Sequence, residues 1–211
     1  VNIRPLPLLK KEVLVDAIDL RGVKANTGNL IEGMEIKGTL GKLYAKADRI
    51  DLGKEIARLN KIDLSDTAIT LLMNDTTTNK DTTSTAVNWK LMLDQIDLDR
   101  VAFAMQMPGD SLRLSTYIDK AGLTDGIVDL GSARYSASQF LLSGSSLSYD
   151  GSYSDPAPGF DPAHIALNDV NIRIDSLLYG GRDISARIKK FSANDRSGLT
   201  LSSLTGDISS D

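Results

Sequence analysis

The chain has 211 residues, 41% hydrophobic and 25% charged, and a net charge of −4. That is the composition of a folded chain with enough apolar bulk for a sizeable core. The absence of cysteine and the single histidine exclude disulfides, thiolate nucleophiles, cysteine–zinc sites and most imidazole chemistry, and the acidic balance excludes the basic footprint of a nucleic-acid binder.

Of the 28 carboxylates only Glu12, Glu32, Glu35 and Glu55 are glutamates. Aspartate competes with the helical backbone through its short side chain and favours corners and turns, so this bias argues against a mostly helical protein. No apolar run approaches the roughly 20 residues that span a bilayer. The start at Val1 and the polar end at Ser209-Ser210-Asp211 are read as the cut ends of a longer protein, with any leader or membrane anchor outside this segment.

In chain order, residues 10–14 and 54–59 offer at most a turn or two of helix. Everything else with a period alternates. One tripeptide, aliphatic-Asp-Leu, recurs at Ile18, Ile50, Ile62, Ile96 and Val128, each time as two apolar residues flanking an acid. That is the period-2 pattern of a strand with one apolar face. Further alternating runs are Ile69, Leu71 and Met73; Trp89, Leu91 and Leu93; Val101, Phe103, Met105 and Met107; and Leu112, Leu114, Thr116 and Ile118. Later runs are Val170, Ile172 and Ile174; Ile184, Ala186 and Ile188; and Leu199 and Leu201. Each is three to five residues long, and between them the phase slips, as from Leu93 to Ile96 and from Leu98 to Val101. A one-residue slip requires a corner or bulge if the apolar face is to stay on one side.

Short strands broken by corners predict an all-β chain, a barrel, a sandwich or a solenoid, and the irregular recurrence near 32 residues favours an elongated β-solenoid whose stacked units share one continuous core. The whole of 1–211 reads as one repetitive β-rich segment. Two stretches interrupt it. Residues 74–86 are polar and of low complexity, predicting a mobile loop, and 150–163, rich in proline and glycine, predict a surface loop.

Candidate chemistry is sparse. His164 reads as a surface histidine or one at the start of a strand, because no Gly-x-Ser-x-Gly elbow accompanies it. Asp97 and Asp99 would lie about 6–7 Å apart on one side of a strand, a spacing compatible with a glycosidase pair. Yet acids recur in every unit, so Asp94, Asp97 and Asp99 read as solvent-facing. Asp150, Asp155 and Asp161 lack the spacing of a calcium loop. The glycines at 33 and 38 have the outer spacing of a phosphate-binding loop, but Thr39 stands where lysine is required. Asn74 begins a glycosylation sequon, a pattern common by chance. No catalytic residue, metal ligand or cofactor site is assigned. What remains is the apolar face: a slot lined by aliphatics suits acyl chains, each buried CH₂ contributing about 0.8 kcal/mol.

Several stretches carry a family likeness: residues 18–28 (IDLRGVKANTG), 36–44 (IKGTLGKLY), 48–52 (DRIDL), 159–165 (GFDPAHI), 184–201 (ISARIKKFSANDRSGLTL) and 204–208 (LTGDI). In these the chain resembles the TamB/AsmA-like (translocation and assembly module) family of Gram-negative envelope proteins. The likeness runs over most of the chain as a pattern of repeated strands. It implies a segment of the periplasmic β-rich region, an elongated taco-like sheet with an apolar inner face, of a long protein anchored in the inner membrane and acting in outer-membrane biogenesis. It also implies a non-enzymatic role in lipid transport, or in assembly of outer-membrane proteins. The implied partners are phospholipid acyl chains and, through another part of the chain, an outer-membrane barrel assembly protein. The expected lipid-contacting residues are Leu91, Leu93, Val101, Phe103, Met105 and Met107. The competing expectation is a closed-core structural or adhesive β-domain that binds protein or glycan.

Overall fold

The computed structural model describes residues 12–13, 17–28, 30, 33–73, 88–181 and 183–210. The polar stretch 74–86, with the sequon at Asn74, lies outside them. The described chain is all-β. Its strands are β1 (Glu12–Val13), β2 (Ile18–Asn26), β3 (Met34–Asp51), β4 (Ile56–Met73), β5 (Lys90–Met107), β6 (Leu112–Asp129), β7 (Arg134–Asp150), β8 (His164–Gly180), β9 (Asp183–Asp195) and β10 (Thr200–Ser209). All belong to one sheet, in which β1 and β2 lie end to end along β3 and the rest follow in chain order to β10. The sheet is open and does not close into a barrel. Residues 54–59 form no helix: the chain turns at 52–55 and enters β4.

Every neighbouring pair is antiparallel except β4 and β5. Those two run parallel at a constant offset of 34 residues, Ile56 facing Lys90 and Leu72 facing Gln106. The tripeptides at Ile62 and Ile96 are therefore stacked residue on residue. The 34-residue step in the sequence is a real structural repeat, and the other steps are not. The copies at Ile50 and Val128 sit at strand ends, where Asp51 accepts the N–H groups of Gly53 and Lys54, and Asp129 accepts that of Ser132. One sequence pattern thus serves two purposes, a flat strand and an aspartate-capped turn.

The strands are 17 or 18 residues long from β3 to β8, whereas the alternating runs are three to five. The difference lies in kinks within continuous strands. Asp66, Arg100 and Asp169 have φ between 51° and 53°, and Gly22 and Gly144 have φ of 62° and 59°. These left-handed residues, on β2, β4, β5, β7 and β8, fall where pairing is interrupted, between Ser65 and Thr67, between Asp99 and Val101, and beside Ser145 and Val170. They form one line across the sheet. A second line passes through Asp94, Asp125 (φ 50°), Ser138 and Ser176 (φ 60°). A left-handed residue bends the strand and reverses the alternation. The slips from Leu93 to Ile96 and from Leu98 to Val101 are these two lines crossing β5.

The inside of each corner is where the sheet is tightest. Thr67, Val101, Ser145 and Val170, each next to a left-handed residue, are buried, Val101 to 6% and Ser145 to 2% exposure. On the second line a Cβ at Gly126 would stand 2.5 Å from Leu123 Cδ2 and 3.3 Å from Leu93 Cβ, so apolar side chains from either side of the corner converge there. On the outer side, Arg100 donates from Nε and Nη2 to Asp66 at 2.7 and 3.1 Å, and Asn194 donates to Asp169 at 3.3 Å. Aspartate, asparagine and glycine tolerate the left-handed conformation best. Much of the aspartate excess is accounted for by these corners and by turns.

Candidate apolar trough

Because directly paired residues share a face, the register assembles the apolar side chains into rows across the strands. In the middle segment one row is Ile18, Ala45, Ile62, Ile96, Leu123, Phe140, Ile174 and Ile188. Its neighbour is Leu20, Leu43, Leu64, Leu98, Ala121, Leu142, Ile172 and Phe191. Beyond the first line of corners, Ile69, Phe103, Thr116, Leu147 and Leu167 form a row, and Ile36, Leu71, Met105, Leu114, Tyr149 and Ile165 the next. Beyond the second line, Ala57, Leu91, Val128, Tyr135, Tyr179 and Ile184 form another. With the two parity reversals, all three segments turn their apolar rows to the same side. The result is a bent floor with two arms.

Among the described residues nothing covers this side. Contacts between strands join only neighbours in the sheet, and most of the row residues are half-buried. The fully buried apolar residues are few: Ala57, Leu93, Val101, Ala137, Val170 and Ala193. Of the six residues expected to contact lipid, Leu93 and Val101 are corner residues at 9% and 6% exposure, wedged inside the bends. Leu91, Phe103, Met105 and Met107 are half-buried on the arms. Sequence reasoning missed the floor itself. The repeating tripeptides at Ile18, Ile62 and Ile96 supply its apolar residues and were the signal that marks it.

The acids occupy the other side. Asp97 accepts a hydrogen bond from Gln95 and Asp99 pairs with Arg100. Asp94 accepts from Asn60 Nδ2 at 2.9 Å and pairs with Arg58 at 3.5 Å. Each has a local partner. No cluster of three or more metal-ligating side chains occurs among the described residues, nor any helix long and apolar enough to cross a membrane. Several clefts open on the sheet. One, of about 260 Å³, lies on the apolar side between β2 and β4, lined by Val23, Ala25, Ile36, Gly38, Leu40, Thr67 and Ile69 among others. Another, of about 310 Å³, is lined largely by small side chains such as Ala68, Ala102, Ala104, Ser115 and Ser146, and holds no charged or imidazole group.

His164 is not at the surface. It is the first residue of β8 and 4% exposed. Its Nδ1 lies 2.9 Å from Asp161 Oδ2, and since an ionised carboxylate only accepts, Nδ1 carries the hydrogen. Asp161 also accepts the N–H groups of Ala157 and Ala163, each at 2.9 Å. It thus ties the loop between β7 and β8 to the start of β8. The Ala157 N–H foremost, then His164 and the Ala163 N–H, hold its pKa down to about 2. An unfolded aspartate titrates near 3.9, so this carboxylate contributes stability that is present above that pH and is lost as pH falls through about 2. Asp161→Asn is therefore expected to flatten the acid limb of a plot of Tm against pH between about 4 and 2. Parallel curves for the two proteins would show that the tie contributes nothing.

No family model and no curated protein matches the chain.

Proposed function

We propose that the chain is a segment of the periplasmic body of a TamB/AsmA-like envelope protein, non-enzymatic, whose apolar trough carries phospholipid acyl chains between the membranes. The observation that carries this reading is a single bent sheet with continuous apolar rows on one side and, among the described residues, no second layer over them. Soluble monomers seldom expose a contiguous apolar surface beyond a few hundred Å², and larger ones mark interaction sites. A hydrocarbon chain fits such a surface because it makes no demand for hydrogen bonds, and its affinity grows by about 0.8 kcal/mol for each CH₂ removed from water. The likeness in the repeated strands points the same way. A closed-core adhesive domain would need a second layer, whereas the described strands form a single one.

A photo-crosslinking amino acid at Phe103 or Met105 is expected to capture phospholipid in cells, and one at Gln106, on the other side of the same strand, is not. Capture of protein alone at all three positions would sink the lipid reading.

A further inference from the structure

We propose that copies of this chain join edge to edge, the outer edge of β10 in one copy pairing antiparallel with the outer edge of β2 in the next. Among the described residues these are the open edges at the two ends of the sheet. β10 carries no lysine, arginine or proline, the residues with which natural edge strands repel a partner, and its Leu204 and Ile208 are 44% and 49% exposed. A strand of any sequence could take the main-chain bonds of such an edge. The apolar rows decide which strand fits. The two floor rows that begin on β2 at Ile18 and Leu20 end on β10 at Gly206 and Leu204. In an antiparallel ladder each step forward on one strand is a step back on the other, so the register that sets Ile18 against Gly206 also sets Leu20 against Leu204. One register thus joins both rows of one copy to the same two rows of the next.

The same register aligns the bend. It sets Val23 against Leu201. Leu20 to Val23 is a step of three across the left-handed Gly22, and Leu204 to Leu201 is a step of three across a register shift in β10. The first line of corners therefore runs on from one copy into the next. The backbone groups agree as well. Thr27 donates its N–H to the Ile36 carbonyl of β3, and Ser210 donates its own to the Ile184 carbonyl of β9, at 2.9 and 2.8 Å. Thr27 continues the alternation of Val23 and Ala25, and Ser210 that of Gly206 and Ile208. In a strand the side-chain face and the direction of the N–H alternate together, so residues on the apolar side bond into the sheet and those on the acidic side turn their backbone groups outward. Asp19 and Thr205 then meet as a hydrogen-bonded pair, as do Lys24 and Thr200. No like charges lie opposite each other. The acids nearest the seam, Asp19 and Asp207, each hold an arginine of their own, at 3.0 and 3.1 Å. A symmetric seam of β10 on β10 that matched the bends would set Gly206 against Leu199, outside the strand, and both floor rows would stop. A head-to-tail seam leaves one open edge at each end, so it propagates into a ribbon unless the twist of the sheet closes a ring. The seam rests on the sheet alone and not on the lipid reading.

Sedimentation of the purified chain at rising concentration, up to its solubility limit, is expected to show a series of species that lengthens with concentration. Thr205→Pro and Asp19→Pro each remove one outward N–H from an edge strand, where proline is tolerated, and so block one edge each. Each variant alone is expected to need at least about tenfold more protein to associate, with an unchanged urea midpoint. Mixed in equal amounts, the two are expected to give a dimer and nothing longer, because one keeps its β2 edge and the other its β10 edge. If proline unfolds either chain, charges replace it at Leu20 and Leu204, which are 37% and 44% exposed. Leu20→Lys alone is expected to weaken association, and Leu20→Lys with Leu204→Glu, which sets opposite charges across every seam, to restore it. A parent chain that is monomeric throughout overturns the proposal, as does a mixture that stays monomeric or a charge pair that restores nothing. A dimer that survives Asp19→Pro places β10 on β10, and one that survives Thr205→Pro places β2 on β2. Association that neither substitution alters places the contact on the apolar face. Each of these three also overturns the head-to-tail seam.

Discussion

Gly41→Ala is expected to destabilise the chain by more than about 3 kcal/mol, although it adds one methyl group to a strand. Gly41 lies on β3 where the first line of corners crosses it, opposite the kink at Asp66. A Cβ there would stand 2.5 Å from both the Cβ and the carbonyl oxygen of Asp66 and 2.8 Å from the carbonyl oxygen of Ser65. Two of those three atoms are backbone, so relief requires β3 and β4 to separate at the corner and not merely a rotamer change. The bend depends on that close approach. The control is Gly206→Ala on β10, where a Cβ meets nothing within 4 Å. There the lower entropy of the unfolded chain should leave stability unchanged or slightly raised. Urea midpoints of the two variants decide the matter. Equal midpoints would mean that the corner is loose and that the bend is not fixed by backbone contact at this point.

The sequence made the strand character, the apolar face and even the positions of the corners on β5 legible, because period-2 alternation and its slips are local properties. Leu93 to Ile96 and Leu98 to Val101 each step by three, and a step of three in a pattern that otherwise steps by two marks a corner, at the left-handed Arg100 in the second case and at Asp94, opposite the left-handed Asp125, in the first. Strand length was not legible. A slip of phase reads equally well as a turn that ends a strand or as a kink within one, and only pairing across the sheet shows that 101–107 continues 90–99. Nor could the pattern tell which tripeptides are equivalent. Ile62 and Ile96 stack in parallel register, while Ile50 and Val128 lead into turns, and the local sequence is the same in both settings. The six expected lipid contacts were chosen by alternation alone. Alternation cannot separate Leu93 and Val101, whose neighbours close over them inside a bend, from Met105, which stands on an open arm. His164 does start a strand, one of the two settings its sequence context suggested, but its burial was not legible for a similar reason. Its burial depends on Asp161 and on two backbone N–H groups brought up by a loop whose shape no periodicity encodes.

Met105→Asp is expected to weaken phospholipid binding by at least about tenfold while leaving the sheet folded. Met105 is half-buried in a row with Leu71 and Leu114, on the arm beyond the first line of corners. With the trough empty, a carboxylate there keeps part of its hydration, because nothing among the described residues packs over that side, and the fold tolerates it. With a tail seated across the row, the same carboxylate must give up its water and receives no hydrogen bond in return, a penalty of several kcal/mol for an ion without a partner. The cost thus falls on the complex and not on the fold, which distinguishes a trough residue from a core residue. In a sealed core the same substitution would bury the charge in the native state, and the loss would appear as unfolding. Gln106→Asp, one residue along and facing the acidic side, should alter neither property. Lipid bound per chain, read by native mass spectrometry alongside the urea midpoint, separates the outcomes. Intact binding with an intact midpoint in Met105→Asp excludes this arm from the path of the tail, while collapse of the midpoint places Met105 in a closed core and returns the chain to the adhesive or structural reading.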